Sequence, residues 1–287
     1  MVTVGRPLRC LYPESANRAL RGLYLDARWR EAAVPGASGC FVYANFVASL
    51  DGRIAVARDP GGPLGVPESI ANPRDWRLYL ELAAQADVLL VSGRYVRELA
   101  VGTAQAGFAL GDDAPPDLLA FRAHLGLPPR PALAVLSASL DLPAAPLAAA
   151  CAQRRVLVVT GADADGARRR ALEADGCEVL VVGQRKVEAE RLLPALAARG
   201  LRYAYAIAGP EVLRTLVAAG CLDRLYLTTV LRLLGGDRIA TLMAGDPLLP
   251  AAEFALREAW LDQGEGVAPS QLLQVFDRAP PPARLPR

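Results

Sequence analysis

The 287-residue sequence predicts an α/β domain, a three-layer α/β/α sandwich built on a mixed, mostly parallel sheet with antiparallel closing strands. Three observations predict it. Short apolar runs of strand length recur at 87–91, 133–136, 156–159, 178–182 and 203–207, with helical segments at 168–174, 187–199 and 211–219 between the later ones. Such alternation is what parallel strands joined by crossover helices require. Two late runs, 225–230 and 271–276, close the sheet as an antiparallel pair. The 53% hydrophobic composition supplies a core large enough for such a sheet.

From the N-terminus, residues 1–38 form an arm with Pro13-Glu14-Ser15, a helical stretch at 17–24 and a Pro-Gly-Ala-Ser-Gly linker, packing on the core or on a partner subunit. Residues 40–47 are apolar and aromatic enough for a buried strand. Asp51-Gly52 ends it, because glycine tolerates unusual φ, although Asp-Gly between apolar runs also marks a plain hairpin. Residues 58–65, Arg-Asp-Pro-Gly-Gly-Pro-Leu-Gly, are rich in turn formers and read as a lid or an ordinary surface loop. Asn72-Pro73 caps a helix carrying Trp76, Leu78, Leu80, Leu82 and Ala83. A Gly- and Ala-rich stretch at 102–111 and the Pro115-Pro116 turn lead to a helix with Phe121, Arg122 and His124. A Gly264-Glu265-Gly266 turn separates the last elements, and a Pro-rich tail follows Ala279. The domain boundaries are thus 1–38 for the arm, 39–278 for the core domain and 279–287 for the tail, which is predicted disordered.

Composition excludes several classes of function. A net charge of +2, evenly mixed, argues against nucleic acid and a membrane surface as partners. The basic residues are arginines except Lys186, a bias attributed to codon composition. Cys10, Cys40, Cys151, Cys177 and Cys221 form no C-x-x-C pair, so neither a zinc ribbon nor a dithiol motif is predicted. Their odd number and the lack of a signal peptide point to reduced thiols and the cytoplasm. His124, the sole histidine, reads as a surface helix residue, and no metal site is expected.

Chemistry in an open α/β sheet is sought at strand ends. Ala208-Gly209-Pro210-Glu211 joins the strand at 203–207 to a helix whose N-terminus offers free amides to a phosphate. A second strand end, Val158-Val159-Thr160-Gly161, offers a hydroxyl and a glycine. Arg168-Arg169-Arg170 reads as a solvated helix face rather than a phosphate site. Neither G-x-G-x-x-G nor G-x-x-x-x-G-K-[ST] is present, which disfavours the usual dinucleotide fingerprint and the P-loop.

Five stretches, in order, carry a resemblance. They are Asn45-Phe46-Val47-Ala48-Ser49-Leu50-Asp51-Gly52, residues 86–93, residues 131–143, Ala206-Ile207-Ala208-Gly209-Pro210, and residues 220–236 with Leu222-Asp223 and Leu234-Gly235-Gly236. Over residues 39–277 the chain resembles the RibD C-terminal domain, the pyrimidine reductase domain of riboflavin biosynthesis, a family similar in fold to dihydrofolate reductase. The resemblance implies NADPH as cofactor. Gly209, Pro210, Glu211, Val212 and Leu213 would take its pyrophosphate, Thr160 and Gly161 its adenosine half, and Ala48 would lie against the nicotinamide. It also implies Asp51 as the catalytic group that orients substrate or relays a proton, with Asn45 and Ser49 contacting a small heterocyclic substrate, and a homodimer formed through late strands such as 225–230.

Departures fall on the substrate side. Ile207 stands where the family carries Glu, Ala83 where it carries Arg, Tyr95 where it carries Thr, and Leu99 where it carries Asp. An apolar side chain cannot replace an Arg–phosphate contact. The reading is therefore an NADPH-dependent reductase resembling 5-amino-6-(5-phosphoribosylamino)uracil reductase, acting on a pyrimidine- or pteridine-type heterocycle that is either the riboflavin precursor itself, through altered contacts, or a changed substrate. The alternative is a non-catalytic nucleotide-binding or partner subunit of the same fold.

Overall fold

The computed structural model describes residues 6–26, 29–30, 36, 38–57, 62–104, 107–264 and 268–279. The chain opens with β1 (Leu8–Tyr12) and β2 (Asn17–Arg18), then β3 (Phe41–Ser49), β4 (Ala55–Ala57) and β5 (Leu64–Gly65). There follow α1 (Pro73–Gln85), β6 (Val88–Ser92), α2 (Gly93–Ala100), α3 (Pro116–His124), β7 (Ala132–Leu136), α4 (Ala144–Cys151) and β8 (Val156–Thr160). The remainder is α5 (Gly166–Ala174), β9 (Glu178–Val181), α6 (Ala189–Ala197), β10 (Tyr203–Ala206), α7 (Pro210–Ala218), β11 (Arg224–Val230), β12 (Ile239–Ala240), β13 (Phe254–Asp262) and β14 (Gln271–Arg278).

The main sheet runs β2-β1-β13-β14-β11-β3-β10-β6-β7-β8-β9. Every pair from β11 to β9 is parallel, and every pair from β2 to β11 is antiparallel. β3 lies in the middle and is buried along most of its length, which explains its near-continuous apolar run. One core, with Leu78 and Leu82 of α1, Val96 of α2, Leu118 of α3 and Leu147 of α4, fills one face of the sheet. The other, with Leu192 and Leu196 of α6 and Leu213 and Leu216 of α7, fills the opposite face. The mixed sandwich expected from the sequence is thus present, with its antiparallel closing strands.

Three features differ from expectation. Residues 17–24 are not helical: Asn17–Arg18 pairs with β1, and Gly22 has φ +83°. The amides of Gly22 and Tyr24 instead donate to the buried Glu81 carboxylate at 2.7 and 3.1 Å, so this segment is fastened to α1. β11 is no interface edge, because β14 and β3 occupy its two sides. β13 escapes a simple alternation search because its register shifts between Leu256 and Glu258, interrupting the period-two pattern. His124 is exposed, as read. Residues 58–61 of the lid segment, 265–266 of the late turn and 280–287 of the tail lie outside the described residues.

Helix α1 is held at both ends, and this matters for the site. At its N-terminus the Asn72 side chain accepts from the amides of Arg74 and Asp75 at 3.1 and 3.0 Å, and Pro73 suits the first turn. Asn72 also donates to Gln271 at 2.9 Å, while Arg74 and Gln271 both donate to Asp262, at 2.6 and 3.0 Å. This buried network ties the helix start to the β13–β14 hairpin. At the C-terminus the fully buried Arg122 donates to the carbonyls of Ala84 and Ala86 at 3.1 and 2.7 Å, and to Pro128 at 2.7 Å. A cation at the last turn complements the helix dipole, and burial pulls its pKa down to about 10.

Candidate functional site

Because β3, β10 and β6 are parallel neighbours, their C-terminal ends open on the same side. A cavity of about 410 Å³ lies there. Asn45, Phe46 and Val47 of β3 form one wall, and Ile207, Ala208, Gly209 and Pro210 after β10 another. Asp75, Trp76 and Tyr79 of α1 and Ser92, Arg94, Tyr95 and Glu98 around α2 complete it, with Leu64 and Ile54 across the mouth.

Two helices start at this cavity. Gly209 precedes α7 and offers no side-chain cap to its first amides, and a Cβ at Gly209 would meet nothing within 4 Å. Pro210 has no amide hydrogen and the Val212 and Leu213 amides donate back to the Gly209 carbonyl at 3.1 and 3.3 Å, so it is the Glu211 amide that faces an incoming anion. α2 begins at Gly93 directly after β6; Ser92 accepts from the Tyr95 amide at 3.3 Å, and Arg94 pairs with Glu98 at 2.7 Å. A dinucleotide phosphate group would thus meet a free helix end and a guanidinium, which is a donor set that fits it.

Asp75 is the unusual group in the wall. It is 8% exposed, its Oδ1 has no hydrogen-bond partner, and among the described residues no cation pairs with it. Burial pushes its pKa up to about 6, only partly offset by a hydrogen bond from Thr228. Beside it, Trp76 stacks on Tyr79 with centroids 4.6 Å apart, and Tyr79 leans on Tyr205, itself stacked on Tyr43 at 4.9 Å. An aromatic, largely apolar cavity with one uncompensated carboxyl suits a flat, polar-edged ring.

Of the residues expected from the sequence, Asn45, Gly209 and Pro210 line this cavity. Asp51 does not. Its carboxylate accepts from the Ser49 hydroxyl, the Arg53 guanidinium at 2.6 Å, and the amides of Leu234 and Gly235 at 3.2 and 2.9 Å. The Ser49 hydroxyl, then the Gly235 amide, hold its pKa down to about 2. Asp51 and Ser49 together therefore clasp the Leu234-Gly235 turn to the end of β3. Ala48 and Leu213 are core residues, and Glu211 and Val212 stand outside the lining. Thr160 is fully buried, and a Cβ at Gly161 would run into the Gln184 carbonyl. The crevice at the end of β8 is filled by the chain itself: the amides of Ala162 and Asp163 donate to Gly183 and Gln184. Among the substituted family positions, Ile207 and Tyr95 line the cavity, Leu99 lines a neighbouring one, and Ala83 is in the core.

Asp75 and Arg94 were missed, yet both left signals. Asp75 lies on the apolar stripe of α1 with Leu78 and Leu82, where a carboxylate has no business without a partner. Gly93-Arg94 follows a buried strand and opens a helix, the same strand-turn-helix pattern read at Gly209.

The profile of the RibD C-terminal domain family matches residues 40–263. The chain belongs to that family. Among solved structures, a pyrimidine reductase-like protein of Corynebacterium diphtheriae superposes with TM-score 0.68 at 20% identity, over 88% of this chain and 95% of that one. RibD of Acinetobacter baumannii gives 0.56 at 16% identity, over 85% of this chain but 59% of the longer protein. The riboflavin biosynthesis reductase Rib7 of Saccharomyces cerevisiae gives 0.52 at 13%, covering 87% and 94%. At such identities the likeness speaks for the fold. Comparison with curated protein sequences returned no match. No helix among the described residues is long and apolar enough to cross a membrane.

Proposed function

We propose that this RibD C-terminal domain protein is an NADPH-dependent reductase of a pyrimidine- or pteridine-type heterocycle. The observation that carries the reading is the convergence of two helix starts, at Gly209-Pro210 and at Ser92 and Arg94, on one aromatic cavity at the C-terminal ends of β3, β10 and β6. NADPH held there would supply the hydride. The chain's own work is positioning, because hydride transfer depends on holding two carbons in contact. The Glu211 amide at the start of α7 would hold the pyrophosphate, and Arg94, which pairs with Glu98, would meet the 2′-phosphate. Phe46, Ile54 and Leu64 exclude water from the mouth, and Asn45 orients the ring from β3. Asp51 acts at one remove, by fixing the turn at Leu234-Gly235.

Titration of the protein with NADPH and NADH, followed by calorimetry, tests the reading. Micromolar binding with preference for NADPH, lost in Arg94→Ala, is the expected outcome. Absence of binding by either nucleotide sinks it and leaves the non-catalytic alternative. We further place the protein in the cytoplasm, which suits its five unpaired thiols, and propose that a second copy covers the β13–β14 face carrying Leu256, Leu261, Leu272 and Phe276. Light scattering of a Leu256→Glu variant reports on that contact: a shift from dimer to monomer is expected, and a monomeric parent protein overturns it.

A further inference from the structure

Five thiols are spread along the chain, and two of them touch. The sulfurs of Cys151 and Cys177 lie 3.4 Å apart although 26 positions separate them in sequence. The other three are engaged singly: Cys10 and Cys221 donate to the carbonyls of Tyr12 and Ala219, and Cys40 is within reach of those of Leu193 and Leu201. Backbone contacts fix both members of the pair. Cys151 closes α4, where the amides of Ala152, Gln153 and Arg154 complete the last turn on Ala148 and Ala150. Cys177 follows α5; Gly176, at φ +87°, reverses the chain, and the amides of Gly176 and Cys177 donate back to Glu173 and Leu172. The surroundings of the two thiols differ. Cys177 is 4% exposed and belongs to the core, whereas Cys151 is half-buried at its edge. Burial, then the adjoining thiol, pushes Cys177 up to about 12, so at neutral pH it is the protonated partner.

We infer that Cys151 and Cys177 form a thiol-modification site, which takes a small organic disulfide and closes to a disulfide within the protein. The Cys151 sulfur attacks one sulfur of the reagent, whose S–S bond breaks, and one half leaves as a thiol. The Cys177 sulfur, already in contact, then attacks the Cys151 sulfur; the mixed bond breaks and the second half leaves. Two protein thiols have then lost two electrons and two protons, which the reagent has gained in becoming two thiols. The second step is intramolecular between positioned atoms, and the sulfurs need to approach by only about 1.4 Å to reach bonding distance. The new bond fastens the end of α4, which carries Pro146, Ala149 and Ala150 of the neighbouring cavity, to the turn before β9. An excess of small thiol reverses both steps, which is how a disulfide is used transiently in a reducing compartment.

The test treats the folded full chain with bis(2-hydroxyethyl) disulfide, removes the reagent, and then unfolds the chain in iodoacetamide. Alkylation is expected to label five thiols in the reduced protein and three after oxidation, with peptide mapping joining Cys151 to Cys177. The oxidised chain, before alkylation, should weigh about 2 Da less than the reduced one. In Cys177→Ser the first step should occur and the second cannot, so a hydroxyethyl adduct should persist on Cys151. In Cys151→Ala the buried Cys177 should remain unmodified. Five labelled thiols after oxidation of the parent protein overturn the inference, as does a bond that joins a different pair or forms only in the unfolded chain. The labelling of the parent protein decides the matter even where a variant fails to fold.

Discussion

Asp51, just past the end of β3, and Asp75, in the first turn of α1, have opposite circumstances. Asp51 was legible as a motif, is partly exposed, and has its oxygens taken by Ser49, Arg53, Leu234 and Gly235. Asp75 belongs to no motif, is buried, and keeps one oxygen unused. One carboxyl sits near pKa 2 and the other near 6. A saturated carboxylate builds structure, while an unsatisfied one is available to a ligand. The contrast is between a carboxyl whose hydrogen-bonding capacity is spent within the fold and one whose capacity is left over.

The largest effect that would sharpen the contrast is on turnover. With the heterocyclic substrate of the proposed reductase, Asp75→Asn should lower kcat/KM by about 10²-fold or more, of the order expected when a charged hydrogen-bonding partner is lost. Asp51→Asn should change it far less and should act through thermal stability instead; a larger kinetic loss for Asp51→Asn would reverse the assignment. Gly209→Val comes next. Its Cβ has room in the protein, so the melting temperature should hold while NADPH affinity falls about tenfold, ~1.4 kcal/mol. Gly161→Val should do the opposite, losing about 1–3 kcal/mol of stability to overpacking against Gln184 with nucleotide affinity intact.

The smallest effect is the pH dependence of stability, where the two carboxyls act in different windows. Asp75 has a raised pKa, so its contribution is complete below 3.8 and is lost as pH rises through about 6. Thr228 and the phenols of Tyr205 and Tyr24 face it, and these stay neutral across that range. Asp51 has a lowered pKa, so its contribution is present above 3.8 and is lost as pH falls through about 2. Denaturant titrations from pH 2 to 8 should show Asp75→Asn flattening the upper window and Asp51→Asn the lower. Crossed effects would break the comparison.

How much of this could be read beforehand follows from range. Strand runs such as 156–159 and 203–207 and the helix cap at Asn72-Pro73 are local patterns, and they appear where the pattern put them. Gly209-Pro210 follows the same local pattern, a strand, a glycine and a helix start, and lies in the cavity wall. The helical reading of 17–24 failed because its partner, Glu81, lies 59 residues from Gly22 and outweighs local propensity. Thr160-Gly161 failed because the loop that seals it, 183–185, is brought there by β9. Asp75 needed β11, β13 and β14 to be in place before its isolation meant anything, since Thr228, Asp262 and Gln271 are all more than 150 positions away.

Trp76 lines both the cavity at the strand ends and a neighbouring one of about 540 Å³ walled by Leu80, Leu99, Phe108 and Ala149. Of the three tryptophans, Trp260 is buried and Trp29 packs edge-on against Phe41 and Tyr43, whereas Trp76 is 37% exposed. The chain therefore carries its own optical gauge: indole emission should change when a ring enters either compartment, and a Trp76→Phe variant, left with Trp29 and Trp260, should lose that response while still binding.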